Sequence, residues 1–354
     1  MRILVIDDSA YNRKMIRSML MEMAEVELVD IASDGEEAIK AVMTEPPDVI
    51  TLDLNMPRMD GFTFLRWLMR NRPLPVVVVS SEGGEKNVFK ALDLGALDFV
   101  VKPLRYASER IVEIRSELQE KVRAVASKNM KQYLDHLKAS RPPRRYPVHH
   151  PSAATDDDIK GVLVIGASTG GPSAVQRVLS EIHEDFSLPI IVVQHMPPVF
   201  TRQFSLRLGK NTPLEAKEAE EGDPLVPGRI LVVPGGYHLK MDDRQGHRVV
   251  LVEKQEGDRF VPSVDVTMTS AAEIFGRRVV GVLLTGMGND GADGMSRIRE
   301  MGGRTIAESE ESTVVFGMPR AALQKGAVEE VLDLEEIPDR IMEMVRDISG
   351  LKNG

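Results

Sequence analysis

Short aliphatic runs recur along the chain with amphipathic stretches between them, an alternation that predicts the fold class. In the first third, residues 3–6, 26–32, 49–52, 76–79 and 99–101 read as strands. Between them, residues 12–23 carry Met15, Ile16, Met19 and Leu20 at helical spacing, and residues 61–71 repeat the pattern. Asp34 opens another helix, with Glu37 placed for a capping-box-like contact, and residues 85–94 form one that stops at Gly95. Five βα units predict a parallel sheet with helices on both faces. The fifth helix runs on, with Ile111, Ile114, Leu118, Val122 and Val125 in one stripe and weaker spacing to about residue 138.

The stretch RPPRRYPVHHPSAATDDD, residues 141–158, interrupts the pattern. Its prolines and like-charge clusters cannot build a core, so it reads as an exposed tether, with a docking strip as the alternative. Beyond it, residues 162–165, 190–193, 230–233, 249–252, 279–284 and 304–307 read as strands, with helical stretches between several of them. Residues 212–258 look richer in strand. A second α/β sheet is expected, and the 354 residues suit two domains at roughly 100–200 residues each.

Composition narrows the chemistry. The chain has no cysteine, which removes disulfides, thiolate catalysis and cysteine metal sites. A net charge of −9 argues against a broad basic nucleic-acid face. The opening MRILVIDD lacks the apolar core of a signal peptide, and no stretch approaches the roughly 18 apolar residues of a membrane span. A cytoplasmic setting without direct membrane insertion is expected.

In an open parallel sheet, function gathers at the carboxyl ends of the strands. In the first domain those ends carry Asp7 and Asp8, then Asp53, Ser80 and Lys102. Clustered carboxylates repel one another, a hard divalent cation such as Mg²⁺ relieves that repulsion, and a carboxylate can attack a phosphoryl group to give an acyl phosphate. Lys102 would spread the developing charge and Ser80 would bond the product phosphate. The pattern resembles the response-regulator receiver domain. Its matching residues are Asp7, Asp8, Asp53, Ser80 and Lys102-Pro103, with Phe99 at the switch-aromatic position and the segment Asn55-Met56-Pro57-Arg58-Met59-Asp60-Gly61. The resemblance implies phosphorylation at Asp53, with Asp7, Asp8, Asp53 and the Asn55 carbonyl around Mg²⁺.

In the second domain, the first strand runs into GASTGG and a helix that begins near Pro172, so Ser168 sits on a sharp strand-to-helix turn. Alone, that turn fits a nucleophilic serine with oxyanion donors and a nucleotide phosphate loop equally well, with plain turn chemistry as the third reading. The next strand ends at Gln194-His195, which supplies a base, with His238 as its rival. It also lacks the acidic residue that a dinucleotide loop needs there. The strand 279–284 leads to Thr285-Gly286-Met287-Gly288-Asn289-Asp290, where Asp290 can hold the His195 ring; Asp265 is the runner-up acid. The N–H groups of Thr169 and Met287 are the candidate oxyanion donors. A receiver-linked DNA-binding adaptor fits poorly, because its output half should be smaller and basic.

The order receiver, linker, GASTGG, VQHMP and LTGMGNDGA resembles chemotaxis protein-glutamate methylesterase over nearly the whole chain. The resemblance implies a five-stranded (βα)5 receiver over 1–125, a helical extension and exposed linker over 126–159, and a methylesterase domain with a mostly parallel, Rossmann-like sheet over 160–354. It also implies Ser168 as nucleophile, His195 as base and Asp290 as its partner, with no cofactor for the ester reaction. The implied substrates are γ-glutamyl methyl esters, and certain glutamines, on the cytoplasmic helices of chemoreceptors. A histidine kinase would donate the phosphate, and the unphosphorylated receiver would inhibit the esterase.

Overall fold

A computed structural model describes residues 1–81, 84–102, 108–126, 128, 130, 159–244 and 246–350, with residues 108–113 and 349 described for their backbone alone. The expected extension beyond residue 130, the linker at 141–158 and Pro103 lie outside the described residues. The chain divides into two compact units, Met1–Ala139 and Ser140–Gly354.

The first unit is a five-stranded sheet of β1 (Arg2–Ile6), β2 (Leu28–Ala32), β3 (Val49–Leu52), β4 (Val76–Ser80) and β5 (Asp98–Val101), in the order β2-β1-β3-β4-β5. Every pairing is parallel. Val49, Ile50 and Leu52 of β3 and Val76, Val77 and Val78 of β4 are all buried, because helices cover both faces of the sheet. The helices Ala10–Met21, Gly35–Thr44, Gly61–Asn71, Glu85–Asp93 and Ser108–Ala126 follow β1 to β5 in turn. Asp34 caps the second, accepting from the N–H groups of Glu36 and Glu37. Glu37 reaches back one residue further than a standard capping box, to the N–H and hydroxyl of Ser33.

The second unit holds a seven-stranded sheet, all of whose pairings are parallel. Its strands are β6 (Val162–Ala167), β7 (Ile190–Gln194), β8 (Glu215–Glu218), β9 (Arg229–Val232), β12 (Val279–Leu283), β13 (Arg304–Glu308) and β14 (Glu330–Leu332). Their order is β14-β13-β12-β6-β7-β9-β8. The β-rich stretch also contributes an antiparallel hairpin, β10 (Tyr237–Asp242) with β11 (Arg248–Glu253). Three strands carry no signal in the hydrophobic pattern. β8 reads Glu-Ala-Lys-Glu and β14 is three residues long, both at sheet edges where burial is incomplete, and β10 alternates with a lysine and an aspartate. The consequence that matters for chemistry is the central trio: β12, β6 and β7 lie side by side, so their carboxyl ends share one edge.

Candidate functional site

In the first unit, the strand-end residues converge. Carboxylate oxygens of Asp7, Asp8 and Asp53 lie within 4.8 Å of one another, with Asp7 and Asp53 buried and Asp8 exposed. Lys102 Nζ sits 2.7 Å from Asp7 Oδ2 and 2.5 Å from Asp53 Oδ2. Burial pushes the Asp53 carboxyl above its ordinary range, against the charge and hydrogen bond of Lys102 that pull it down. Burial would lower the Lys102 ammonium, but the Asp53 and Asp7 carboxylates outweigh it and hold it up. One lysine among three carboxylates leaves excess negative charge in a small volume, and the oxygen-only donor set fits a hard divalent cation. The Asn55 N–H donates to Asp53 Oδ1 at 3.1 Å, which fixes the start of the 55–61 loop beside that carboxylate. Ser80 is buried at the end of β4, against the start of the Glu85–Asp93 helix: a Cβ on Gly84 would fall 2.4 Å from its Oγ. Phe99 is buried in β5, with Lys121 Nζ 5.1 Å from its ring centroid.

In the second unit, β6 and β7 pair in register through Ala167 and Gln194, so Ser168 and His195 are the next residues on neighbouring strands. The His195 N–H donates to the Ala167 carbonyl at 3.1 Å. On the other flank, the Ser168 N–H donates to the Thr285 carbonyl at 3.0 Å. Gly286 must lack a side chain, since a Cβ there would lie 2.2 Å from Met318 Sδ and 2.9 Å from Ser168 Cβ. His195 Nε2 lies 2.7 Å from Asp290 Oδ2.

Asp290 is buried and receives further donors: Ser263 Oγ at 2.9 Å and Asp265 N at 3.1 Å on Oδ1, and Val264 N at 2.7 Å on Oδ2. Burial alone would raise its carboxyl. The bond and charge of His195, with those N–H groups, hold it below the ordinary carboxylate range. An ionised Asp290 accepts, so the His195 ring proton resides on Nε2 and Nδ1 is the nitrogen left with a lone pair. The Phe260 ring stacks on the imidazole, with centroids 4.8 Å apart and planes at 5°. Among the described residues, the N–H groups of Thr169 and Met287 have no hydrogen-bond partner, and no hydrogen bond joins Ser168 Oγ to His195.

The chain matches the CheB methylesterase family over residues 163–341 and the response regulator receiver domain over residues 3–114. Protein-glutamate methylesterase/protein-glutamine glutaminase 3 of Geobacter sulfurreducens is 44% identical over 359 residues, spanning 97% of this chain and 96% of that one. The chain belongs to the CheB methylesterase family. A protein-glutamate methylesterase/protein-glutamine glutaminase of Pyrococcus horikoshii is 40% identical over 353 residues, 99% of this chain and 95% of its own. The crystal structure of the Thermotoga maritima CheB methylesterase catalytic domain shares 38% identity with a TM-score of 0.51, covering 52% of this chain and 98% of that one.

Around the three motifs, this CheB-family chain has supporting residues that sequence reading passed over. Gln194 is buried, and its Nε2 donates to the carbonyls of Ser168 (2.8 Å) and His195 (3.2 Å), one amide bracing both turns. Glu308, fully buried at the end of β13, accepts from the Thr285 N–H at 2.7 Å. Thr285 Oγ1 in turn donates to the Thr169 carbonyl at 2.9 Å and accepts from Val315 N at 2.9 Å. Thr285 thus grips the chain on both sides of the Ser168 side chain. The runner-up acid Asp265 does not reach His195; its Oδ1 accepts from Gly294 N at 2.7 Å. Burial and the neighbouring Asp290 push its carboxyl up to about 6 against that Gly294 bond.

Proposed function

We propose that this chain is a phosphorylation-switched serine esterase that hydrolyses glutamyl γ-methyl esters, and deamidates certain glutamines, on the cytoplasmic helices of chemoreceptors. The observation that carries the reading is the His195–Asp290 bond at 2.7 Å, formed where the β6, β7 and β12 ends meet beside Ser168. Ser168 Oγ attacks the ester carbonyl while its proton passes to His195 Nδ1. Asp290 keeps Nε2–H in place and stabilises the imidazolium. The N–H groups of Thr169 and Met287 take the oxyanion, each contributing about 3–4 kcal/mol to the transition state. Methanol leaves with the proton from His195, and water activated by the same imidazole then releases the carboxylate and regenerates Ser168. With an amide substrate, ammonia leaves in place of methanol. Phe260, flat against the imidazole, restricts ring rotation through this cycle.

The receiver half supplies the switch. Asp53 is the phosphoryl acceptor, Lys102 steadies the developing charge, and Ser80 bonds the product phosphate. Asp7, Asp8 and Asp53, with the Asn55 carbonyl, would hold Mg²⁺, which when bound neutralises excess negative charge there. A histidine kinase of the chemotaxis system is the fitting donor, and the cytoplasm the fitting compartment. Among the described residues no helix is long and apolar enough to cross a membrane. Residues 1–125 act as receiver and 160–354 as esterase, with 126–159 as the tether. A tether keeps an inhibitory half at high effective concentration, so weak inhibition is enough to hold the resting state off.

The test is methanol release from methylated receptor membranes. Ser168→Ala should lower kcat by roughly three orders of magnitude or more while Asp53 still takes phosphate. Hydrolysis by that variant at near wild-type rate would remove Ser168 from the mechanism. A fluorophosphonate should label wild type and not Ser168→Ala.

A further inference from the structure

Asp290 is gripped by one short segment: the Ser263 hydroxyl and the N–H groups of Val264 and Asp265 all donate to it. Where residues 263–265 sit therefore decides where the Asp290 carboxylate sits, and through it the His195 ring. The segment opens the Val264–Phe275 helix, with Ser263 as its cap. Immediately upstream, Ser263 N donates to His238 Nδ1 at 3.2 Å. A ring nitrogen that accepts carries no proton, so the His238 proton lies on Nε2, 3.0 Å from Asp258 Oδ2. That oxygen also accepts from the Gln255 N–H at 2.7 Å.

His238 is buried on β10, which is paired with β11 over six residues. β10 is also tied to the Val264–Phe275 helix, where Thr267 Oγ1 donates to the Leu239 carbonyl at 3.0 Å and Ser270 Oγ accepts from Met241 N at 2.9 Å. The imidazole is thus a rigid strut from a hydrogen-bonded hairpin to the turn that holds Asp290. Both of its nitrogens are engaged, which leaves it no lone pair for the Ser168 proton and removes it as a rival base. We propose that His238, with Asp258 behind it, is a positioning residue for the esterase reaction. Its Nδ1 fixes the Ser263 segment and hence the Asp290–His195 pair. This rests on the assignment of Ser168, His195 and Asp290 made above.

Asparagine can place an acceptor near the Nδ1 position, and glutamine can place a donor near the Nε2 position. The full chain should be compared as wild type, His238→Asn, His238→Gln, Asp258→Ala and Ser168→Ala, for methanol release against substrate concentration and for thermal unfolding. His238→Gln loses the Ser263 acceptor, and its kcat should fall on the order of 10- to 100-fold with KM nearly unchanged. His238→Asn should restore most of that loss. Wild-type kcat in both His238 variants, or equal losses in both, would overturn the proposal. Should His238→Gln not fold, Asp258→Ala decides the matter, since that side chain is 31% exposed. It should lower kcat several-fold at constant KM, and an unchanged kcat refutes the strut. Activity retained by Ser168→Ala would instead defeat the esterase assignment, whereas an inactive Ser168→Ala beside unaffected His238 variants defeats the strut alone.

Discussion

At the scale of single residues, the site is organised by what Asp290 and Thr285 accept and donate. Four donors converge on Asp290: Ser263 Oγ, two backbone N–H groups and His195 Nε2. Asp290→Asn would have to keep its oxygen toward Ser263 Oγ and Asp265 N and present its NH₂ to His195 and to the Val264 N–H. That forces the imidazole proton onto Nδ1, the nitrogen needed as base. A fall in kcat on the order of 10³- to 10⁴-fold with nearly unchanged KM is expected, measurable by methanol release. A loss of less than about tenfold would mean that the tautomer is not set by this residue. Glu308 works one step further out. Truncating it to alanine leaves the Thr285 N–H buried without its acceptor, a cost of about 1–3 kcal/mol in stability. Because Thr285 flanks Ser168 through two hydrogen bonds, Glu308→Ala should also lower kcat in enzyme that remains folded, whereas Glu308→Gln, which keeps a carbonyl acceptor, should retain more of both. Denaturant unfolding alongside the activity assay separates the two effects.

At the scale of elements, the Val264–Phe275 helix carries the acidic residue of its first turn, Asp265, against Asp290 and against the start of the neighbouring Ala292–Glu300 helix. Its carboxyl is raised from 3.8 to about 6, so the folded state binds a proton more tightly than the unfolded chain does. Stability from this group is full below the unfolded value and is lost as pH rises through about 6. Asp265→Asn keeps the carbonyl for Gly294 N and cannot ionise. The difference in Tm between variant and wild type should therefore shift in the variant's favour between pH 4 and pH 7, and a flat difference across that window would show that Asp265 is not protonated in the fold. Neither this pairing nor the Ser263 clamp was legible in the sequence. The strand ends were: aliphatic runs fix β1, β3, β6, β7 and β12, and parallel topology then gathers Asp7, Asp53 and Lys102 in one unit and Ser168, His195 and the β12 loop in the other. Glu308 could not be found that way, since one acidic residue closing an aliphatic strand looks like ordinary solvent-facing punctuation. The 254–263 loop has no hydrophobic period, and its contacts to His195 and His238 come from tertiary packing across many residues of sequence. β8 hid for the opposite reason, a charged edge strand whose pairing rather than its composition makes it a strand.

At the scale of the whole molecule, two chemistries with different needs share one chain. The receiver site has the buried Asp53 carboxyl already pushed up by desolvation, two further carboxylates within 4.8 Å, and one lysine to offset them. Bringing an anionic phosphodonor to that cluster is electrostatically unfavourable unless a divalent cation offsets the carboxylates. In the mechanism proposed above the esterase site has no such need, because the proton that Ser168 gives up is carried by His195 and the charge on the intermediate is met by backbone N–H groups. Removing divalent ions should therefore leave the resting rate of methanol release within about twofold while abolishing its stimulation by a small phosphodonor. Asp53→Asn should reproduce that result with Mg²⁺ present, since an amide cannot form the acyl phosphate. Restoring Mg²⁺ should restore stimulation in wild type and not in Asp53→Asn. If chelation lowered the resting rate as much as the stimulated one, the ion would be acting in the esterase half. If Asp53→Asn were stimulated normally, the switch would lie elsewhere than the β3 carboxylate.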